Sequence, residues 1–214
     1  MWALVWVLMW GVVGFTQPSL QGAVPASSGS AAAVADGEIS TAIFAGGCFW
    51  CMEPPFDKIS GVVSTTSGYT GGTIENPSYE EVSAGGTGHV EAVEVRYDAA
   101  KVSYESLLTT FWHNVDPLDS QGQFCDKGSQ YRSVIFYENP EQQQLAEAAK
   151  EQVAEKFEQP IATEILPAAP FYSAEDYHQN YYQTHSVRYK VYRFGCGRDQ
   201  RLADVWGAEA PTHN

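Results

Sequence analysis

The chain has 214 residues, 44% of them hydrophobic, which suits one domain of ordinary size with a normal core and room for appendages. A formal net charge of −14 excludes the basic face that nucleic acid requires and leaves a solvated acidic surface. The four cysteines, Cys48, Cys51, Cys125 and Cys196, are few for a disulfide scaffold of this length and lack framework spacing, so they point to redox chemistry.

No charged side chain occurs before Asp36. The run "MWALVWVLMWGVVGF" has the length of a signal-peptide core and is short for a membrane span. Small residues follow, with candidate cleavage sites at Val24 to Ala26 and Ala33 to Ala35. No Lys or Arg opens the chain, so an uncleaved anchor stands beside the cleaved signal as an alternative. The expected organisation is a signal or anchor over 1–26 and a flexible Ala/Ser/Gly linker over 27–38. A catalytic domain over 39–207 and a short tail over 208–214 follow. The expected location is the periplasm or cell envelope.

"TAIFAGG" from Thr41 reads as a buried strand closed by glycines, and "CFWCMEPPFDKI" as a short helix with Pro54 and Pro55 near a kink or its end. Residues 61–72 and 90–97 alternate and are β-branched, as strands are. "SYESLLTTFWHNV" reads as a helix capped by Ser103, and "YRSVIFY" as a strand. The clearest helix starts at Asn139, with Pro140 at its first position and Leu145, Ala149, Val153 and Phe157 on one side. "IATEIL" reads as a last strand. Beyond Pro167 the chain is rich in tyrosine and turn residues, and it is expected to wrap the domain as loops. Alternating strands interleaved with helices favour an α+β sandwich over a parallel α/β fold.

The stretch from Gly46 to Phe56 carries the chemistry. A cysteine where a strand feeds a helix meets free N–H groups and the positive end of the helix dipole, which favour a thiolate. That matters because an ordinary thiol, with a pKa of about 8.5, is only slightly ionised near neutrality. Gly46 and Gly47 are expected to let a substrate approach the sulfur. Cys-Phe-Trp-Cys could instead be a thioredoxin-type dithiol, or the motif could serve an anchored binding module that grips methionine-rich surfaces. As half of a zinc site it lacks a second pair, and His89, His113, His178 and His185 show no metal spacing.

"GGCFWCMEPPF", "SGYTGG", "PSYEEVSAGGTGHVEAVEVRYD", "FWHNVDP", "DKGSQYRSVIFY" and "EDYHQNYY" together resemble the A-class peptide methionine sulfoxide reductases, in family order over about residues 39 to 207. The resemblance implies a two-layer α+β fold with a ferredoxin-like core and no metal or organic cofactor. It implies that methionine-(S)-sulfoxide, free or in oxidised proteins, is reduced at Cys48, and that an external dithiol or thioredoxin-like protein regenerates the enzyme. A monomer is expected. Phe49 and Trp50 resemble the family's seat for the substrate methyl group, and Glu91 the acid that protonates the leaving oxygen. Tyr79 and Tyr131 resemble the hydroxyls that hold that oxygen, with Asp126 beside them. Cys196, between glycines in "RFGCGRD", resembles the C-terminal cysteine that resolves the sulfenic acid. Cys51 and Cys125 depart from the commonest pattern and are alternative resolving or relay thiols. Cys51 carries the drawback of a disulfide closed across a helix start.

Overall fold

The structure is a computed structural model and describes residues 39–211. The proposed signal or anchor and linker lie outside the described residues, as do the last three residues of the tail. No helix among the described residues is long and apolar enough to cross a membrane.

The chain opens with strand β1 (Ile39–Gly46), helix α1 (Phe49–Asp57), strand β2 (Val62–Thr70), a short helix α2 (Tyr79–Ala84) and strand β3 (Val90–Asp98). Helix α3 (Tyr104–His113) and a tight hairpin of β4 (Gly122–Gln123) and β5 (Asp126–Lys127) follow. Next come β6 (Ser133–Tyr137), α4 (Pro140–Ala154), β7 (Glu164–Pro167) and β8 (Tyr172–Ser173). Three helices end the fold: α5 (Tyr181–Thr184), α6 (Ser186–Gly195) and α7 (Arg198–Trp206).

The main sheet has the order β7-β6-β1-β3-β2-β8. Its four central strands are antiparallel, and β7 adds to β6 in parallel. With α1 and α3 as crossovers, β1-α1-β2-β3-α3-β6 is the ferredoxin-like core that the sequence resemblance implies. Alternation along β1 and β3 sends Ala42, Phe44, Val93 and Val95 to the helical face, where Phe44 stacks on Phe56 and Phe111. Ile43, Ala45, Val90 and Ala92 form a second apolar layer with Val134, Phe136 and Phe171 on the other face.

Local signals account for the helix starts. Ser103 accepts the N–H of Ser106, and Asn139 accepts that of Gln142 with Pro140 at the first position. Helix α4 stops at Ala154, so Phe157, expected on it, packs against the core from the following turn. Pro54 and Pro55 lie inside α1, whose nine residues are short enough to place them in its second turn.

The C-terminal segment departs from the loop expectation in its second half. Residues 168–180 are irregular apart from β8 and one 3-10 turn, but α6 and α7 are helices. Helix α6 turns Arg193 inward, where it pairs with Asp199, and leaves Val187, Val191 and Phe194 in solvent. Its buried face therefore shows no aliphatic repeat for a periodicity reading to find.

Candidate active site

Cys48 is the residue before the first turn of α1, and its side chain caps no backbone N–H, so the sulfur is free for chemistry. The N–H of Phe49 is taken instead by Glu91 Oε2 at 3.1 Å. A carboxyl from the middle strand thus closes the helix start and sits beside the cysteine. Glu91 stands opposite Tyr69 in the β2/β3 pairing and is only 3% exposed. Burial pushes its pKa up to about 8, helped by Asp126 and Cys51 and opposed by the Phe49 N–H. Glu91 therefore holds a proton near neutrality.

Cys48 and Cys51 are both buried free thiols, joined by a hydrogen bond. The Cys51 N–H donates to the Cys48 carbonyl at 3.0 Å, so one turn of helix brings the two side chains together. The bond from Cys48 pulls the Cys51 thiol down to about 6, and the charges of Arg198 and Arg193 act in the same direction against burial. Burial, Cys51, Glu91 and Asp126 push the Cys48 thiol up. The two thiols are thus pushed in opposite directions, with the charges of the buried Arg198 and Arg193 favouring a thiolate at Cys51. Arg198 is held by the carbonyls of Gly46 (3.1 Å) and Asn114 (2.7 Å) and lies over the Phe124 ring.

Gly46 and Gly47 serve packing rather than substrate approach. A Cβ on Gly46 would meet Met52 and Val115, and one on Gly47, which has φ +81°, would meet Gln123 at 2.6 Å.

Phe49 is buried, and Trp50 is half-buried beside it. The Trp50 indole donates to His178 Nδ1 at 3.0 Å, and Tyr181 stacks on its ring at 3.8 Å with the planes 8° apart. His178 also touches Phe49 and Tyr79, and burial lowers its pKa, so it accepts this bond as a neutral ring. Tyr79 opens α2, where Ser78 and Glu81 form a reciprocal cap, and its N–H is held by Glu175. Tyr131 closes a 3-10 turn after the β4–β5 hairpin. Burial raises the pKa of Tyr79 to about 12 and pushes Tyr131 up as well, so both are neutral hydroxyls. Asp126 is half-buried, its pKa raised by burial, and it accepts the hydroxyl of Tyr192.

Cys196 does not meet Cys48 here. It is bonded to Cys125, with Cα atoms 4.9 Å apart. The free thiol nearest Cys48 in sequence is Cys51, one of the alternatives that the sequence left open. Cys125, Asp126 and Cys196 could bracket an ion by distance, but the joined sulfurs offer no thiolate.

His178, Tyr181, Tyr192 and Arg198 belong to the site and escaped the sequence reading. "EDYHQNYY" was the available signal for the first two. Only the fold shows what they touch.

Two buried free thiols one helical turn apart, a buried carboxyl and an aromatic box define a thiol-dependent oxidoreductase. The model of the family described as peptide methionine sulfoxide reductase matches residues 40–210. The chain belongs to that family. It is 52% identical over 168 residues to a "Peptide methionine sulfoxide reductase MsrA" of Bacillus licheniformis, covering 78% of this chain and 93% of the relative. The corresponding protein of Bacillus subtilis is 51% identical over 174 residues, with 80% and 97% covered. Among solved structures, reduced Mxr1 of Saccharomyces cerevisiae is similar at TM-score 0.66 and 31% identity, covering 69% of this chain and 86% of that one. Methionine sulfoxide reductase A of Corynebacterium diphtheriae is similar at TM-score 0.63 and 36% identity, with 69% and 76% covered.

Proposed function

We propose that the chain reduces methionine-(S)-sulfoxide, free or protein-bound, to methionine and so repairs oxidised proteins. The observation that carries this reading is the buried free thiol of Cys48 at the start of α1, where the buried Glu91 carboxyl holds the next N–H, that of Phe49, at 3.1 Å. A sulfoxide needs a nucleophile at sulfur and a proton at oxygen, and the two groups meet at the start of α1.

The steps follow from that pairing. Cys48 passes its proton across the hydrogen bond to Cys51 and attacks the sulfoxide sulfur as a thiolate. Glu91 protonates the oxygen, with the Tyr79 and Tyr131 hydroxyls and Asp126 positioning it. Phe49 and Trp50 seat the methyl group, and the His178 bond holds Trp50 in place. The protonated oxygen then passes from the substrate sulfur to the Cys48 sulfur as the transient bond between the two sulfurs breaks, which releases methionine and leaves Cys48 as a sulfenic acid. Cys51, deprotonated again, attacks the Cys48 sulfur, and water leaves with one proton gained. The Cys48–Cys51 disulfide is then reduced by a dithiol, thioredoxin-like donor. Cys51 takes the resolving role because it already touches Cys48, whereas Cys196 is tied to Cys125. No step calls for a metal or organic cofactor.

Reduction of the separated S and R epimers with dithiothreitol tests the reading. Turnover of the S epimer alone is expected. No turnover of either, or equal turnover of both, would overturn it. A dithiol oxidoreductase or a binding module predicts no turnover.

The apolar, uncharged start supports export to the periplasm or cell envelope, with the mature chain beginning near Ala26 to Asp36. N-terminal sequencing of native protein tests this, and Met1 in a soluble cytosolic fraction would contradict it.

A further inference from the structure

Glu53 is a fully buried carboxyl in the second turn of α1, and it takes no part in the reaction steps. Its Oε1 accepts the N–H of Asn180 at 3.4 Å, across 127 residues of chain. Its Oε2 has no hydrogen-bond partner. The Ser67 hydroxyl is buried and makes no well-formed bond either, although it is near enough to favour the charged carboxylate. Burial pushes the Glu53 pKa up to about 7, against the N–H groups of Asn180 and Tyr181. An apolar side chain would avoid the cost of burying a carboxyl on such incomplete terms. What the carboxyl supplies is a grip on the backbone of the wrapped segment.

Three side chains of α1 hold that segment. Trp50, Glu53 and Asp57 fall at i, i+3 and i+7, so they share one face of the helix. The Trp50 indole donates to His178, Glu53 accepts from Asn180, and Asp57 Oδ2 accepts the Tyr182 hydroxyl at 2.8 Å. Between the first two, Gln179 is pinned to β2. Its side chain accepts the Ser67 N–H and donates to the Ser67 carbonyl, each at 2.9 Å.

Asn180 is where this stretch turns. It has φ +51° and ψ +36°, a left-handed conformation that costs energy in any residue but glycine, and its side chain caps nothing. Such a conformation persists where the surroundings hold it. The next residue, Tyr181, opens α5 and lies flat on the Trp50 ring. The Glu53 bond therefore falls between the two contacts that Trp50 makes with the segment, to His178 and to Tyr181.

We propose that Glu53 is a positioning residue of the methyl seat: its carboxyl holds the left-handed turn at Asn180, keeps Tyr181 stacked on Trp50, and so governs sulfoxide affinity without touching the substrate. The proposal rests on the reductase reading and adds a residue to the site that this reading uses. Without the bond, the Asn180 N–H is a buried donor with no partner, and the turn relaxes and carries the Tyr181 ring off the indole. A carboxylic acid keeps a carbonyl oxygen that accepts the same N–H, as does the amide of glutamine. The latch therefore needs an acceptor at this reach rather than a charge.

The test compares Glu53→Ala, Glu53→Asp and Glu53→Gln in the full chain, with dithiothreitol as reductant. The aspartate carboxyl is one methylene short of Asn180, so it should behave like alanine, and it carries the test if Glu53→Ala does not fold. In both, KM for methionine-(S)-sulfoxide should rise about tenfold with kcat changed less than about twofold. Glu53→Gln should keep both values within about twofold of wild type. Amide hydrogen exchange in a peptide spanning residues 178–182 should speed up at least about fivefold in Glu53→Ala and Glu53→Asp, and little in Glu53→Gln. Tyr181→Ala should raise KM by itself, and Glu53→Ala added to it should raise KM no further, because Glu53 acts through Tyr181. An unchanged KM in Glu53→Ala and Glu53→Asp would overturn the proposal, as would additive effects in the double variant. So would a Glu53→Gln as impaired as Glu53→Ala, which would make the charge the working element. Exchange that speeds up equally across the central sheet would make Glu53 a residue of general stability and overturn the latch. A wild type inert towards sulfoxide would sink the reductase reading instead, and exchange at residues 178–182 would still decide whether Glu53 holds the turn.

Discussion

Cys48, Phe49 and Glu91 sit on α1, its entry and the central strand β3, whereas Asp126, His178, Tyr181 and Tyr192 sit on a hairpin, a 3-10 turn and the C-terminal helices. The first group is fixed mainly by ladder and helix hydrogen bonds, with one side-chain bond, Glu91 to the Phe49 N–H, joining strand to helix. The second is fixed by single side-chain bonds across long separations, such as Trp50 to His178 and Tyr192 to Asp126. Bond making is therefore assigned to regular backbone and the shape of the pocket to a wrapped segment. Substitutions in the first group should act on the rate of the chemical step, and those in the second on substrate affinity.

The largest effect expected is from Cys48→Ser, which should leave no sulfoxide reduction above background even with excess dithiothreitol. Retention of a few per cent of wild-type turnover would remove the assignment. Glu91→Gln keeps shape and the contact to Phe49 but has no proton to give. Single-turnover reduction should fall about 10² to 10⁴-fold while Cys48 still alkylates. In the wild type, kcat/KM should rise with pH through about 6, as the Cys51 thiolate forms, and fall through about 8, as Glu91 loses its proton. Glu91→Gln should lose only the upper limb. A profile in the variant identical to wild type would show that Glu91 is a structural carboxyl.

Cys51→Ser removes both the proton acceptor and the resolving thiol. One methionine per enzyme should still form, but the pH for half-maximal alkylation of Cys48 should fall, since Cys51 no longer pushes its thiol up, and steady-state turnover should drop more than single turnover. Equal drops would contradict the two roles. On the wrapped side, His178→Ala frees the Trp50 indole, and KM should rise about tenfold with a smaller change in kcat, since a buried donor loses its partner. Tyr192→Phe should have the smallest effect, a KM increase of about two- to fivefold from one lost bond to Asp126. A larger fall in kcat than rise in KM for either variant would break the division between the two groups.

The same division explains what the sequence made legible. Alternation along Val90 to Tyr97, the Ser103 cap and the Asn139-Pro140 start are local signals, and the corresponding elements stand close to where they point. Cys48 and Glu91 were readable because each lies in a motif on a regular element. Helices α6 and α7 were not, because α6 buries only Arg193, with Tyr189 and Tyr192 half-buried, and α7 buries Arg198 beside just two apolar residues, Leu202 and Trp206. His178 was seen only as a histidine without metal spacing, because its partner Trp50 is 128 residues away. The hydrogen bond between Cys48 and Cys51 depends on α1 beginning at Phe49, a boundary finer than pattern reading resolves.

The most direct test is a disulfide map after one turnover. Enzyme with Cys48 and Cys51 reduced and Cys125–Cys196 oxidised is given one equivalent of methionine-(S)-sulfoxide without reductant, then quenched with an alkylating reagent and digested. The account predicts one new linkage, Cys48 to Cys51, with Cys125–Cys196 intact. A linkage from Cys48 to Cys196 or Cys125 would contradict it.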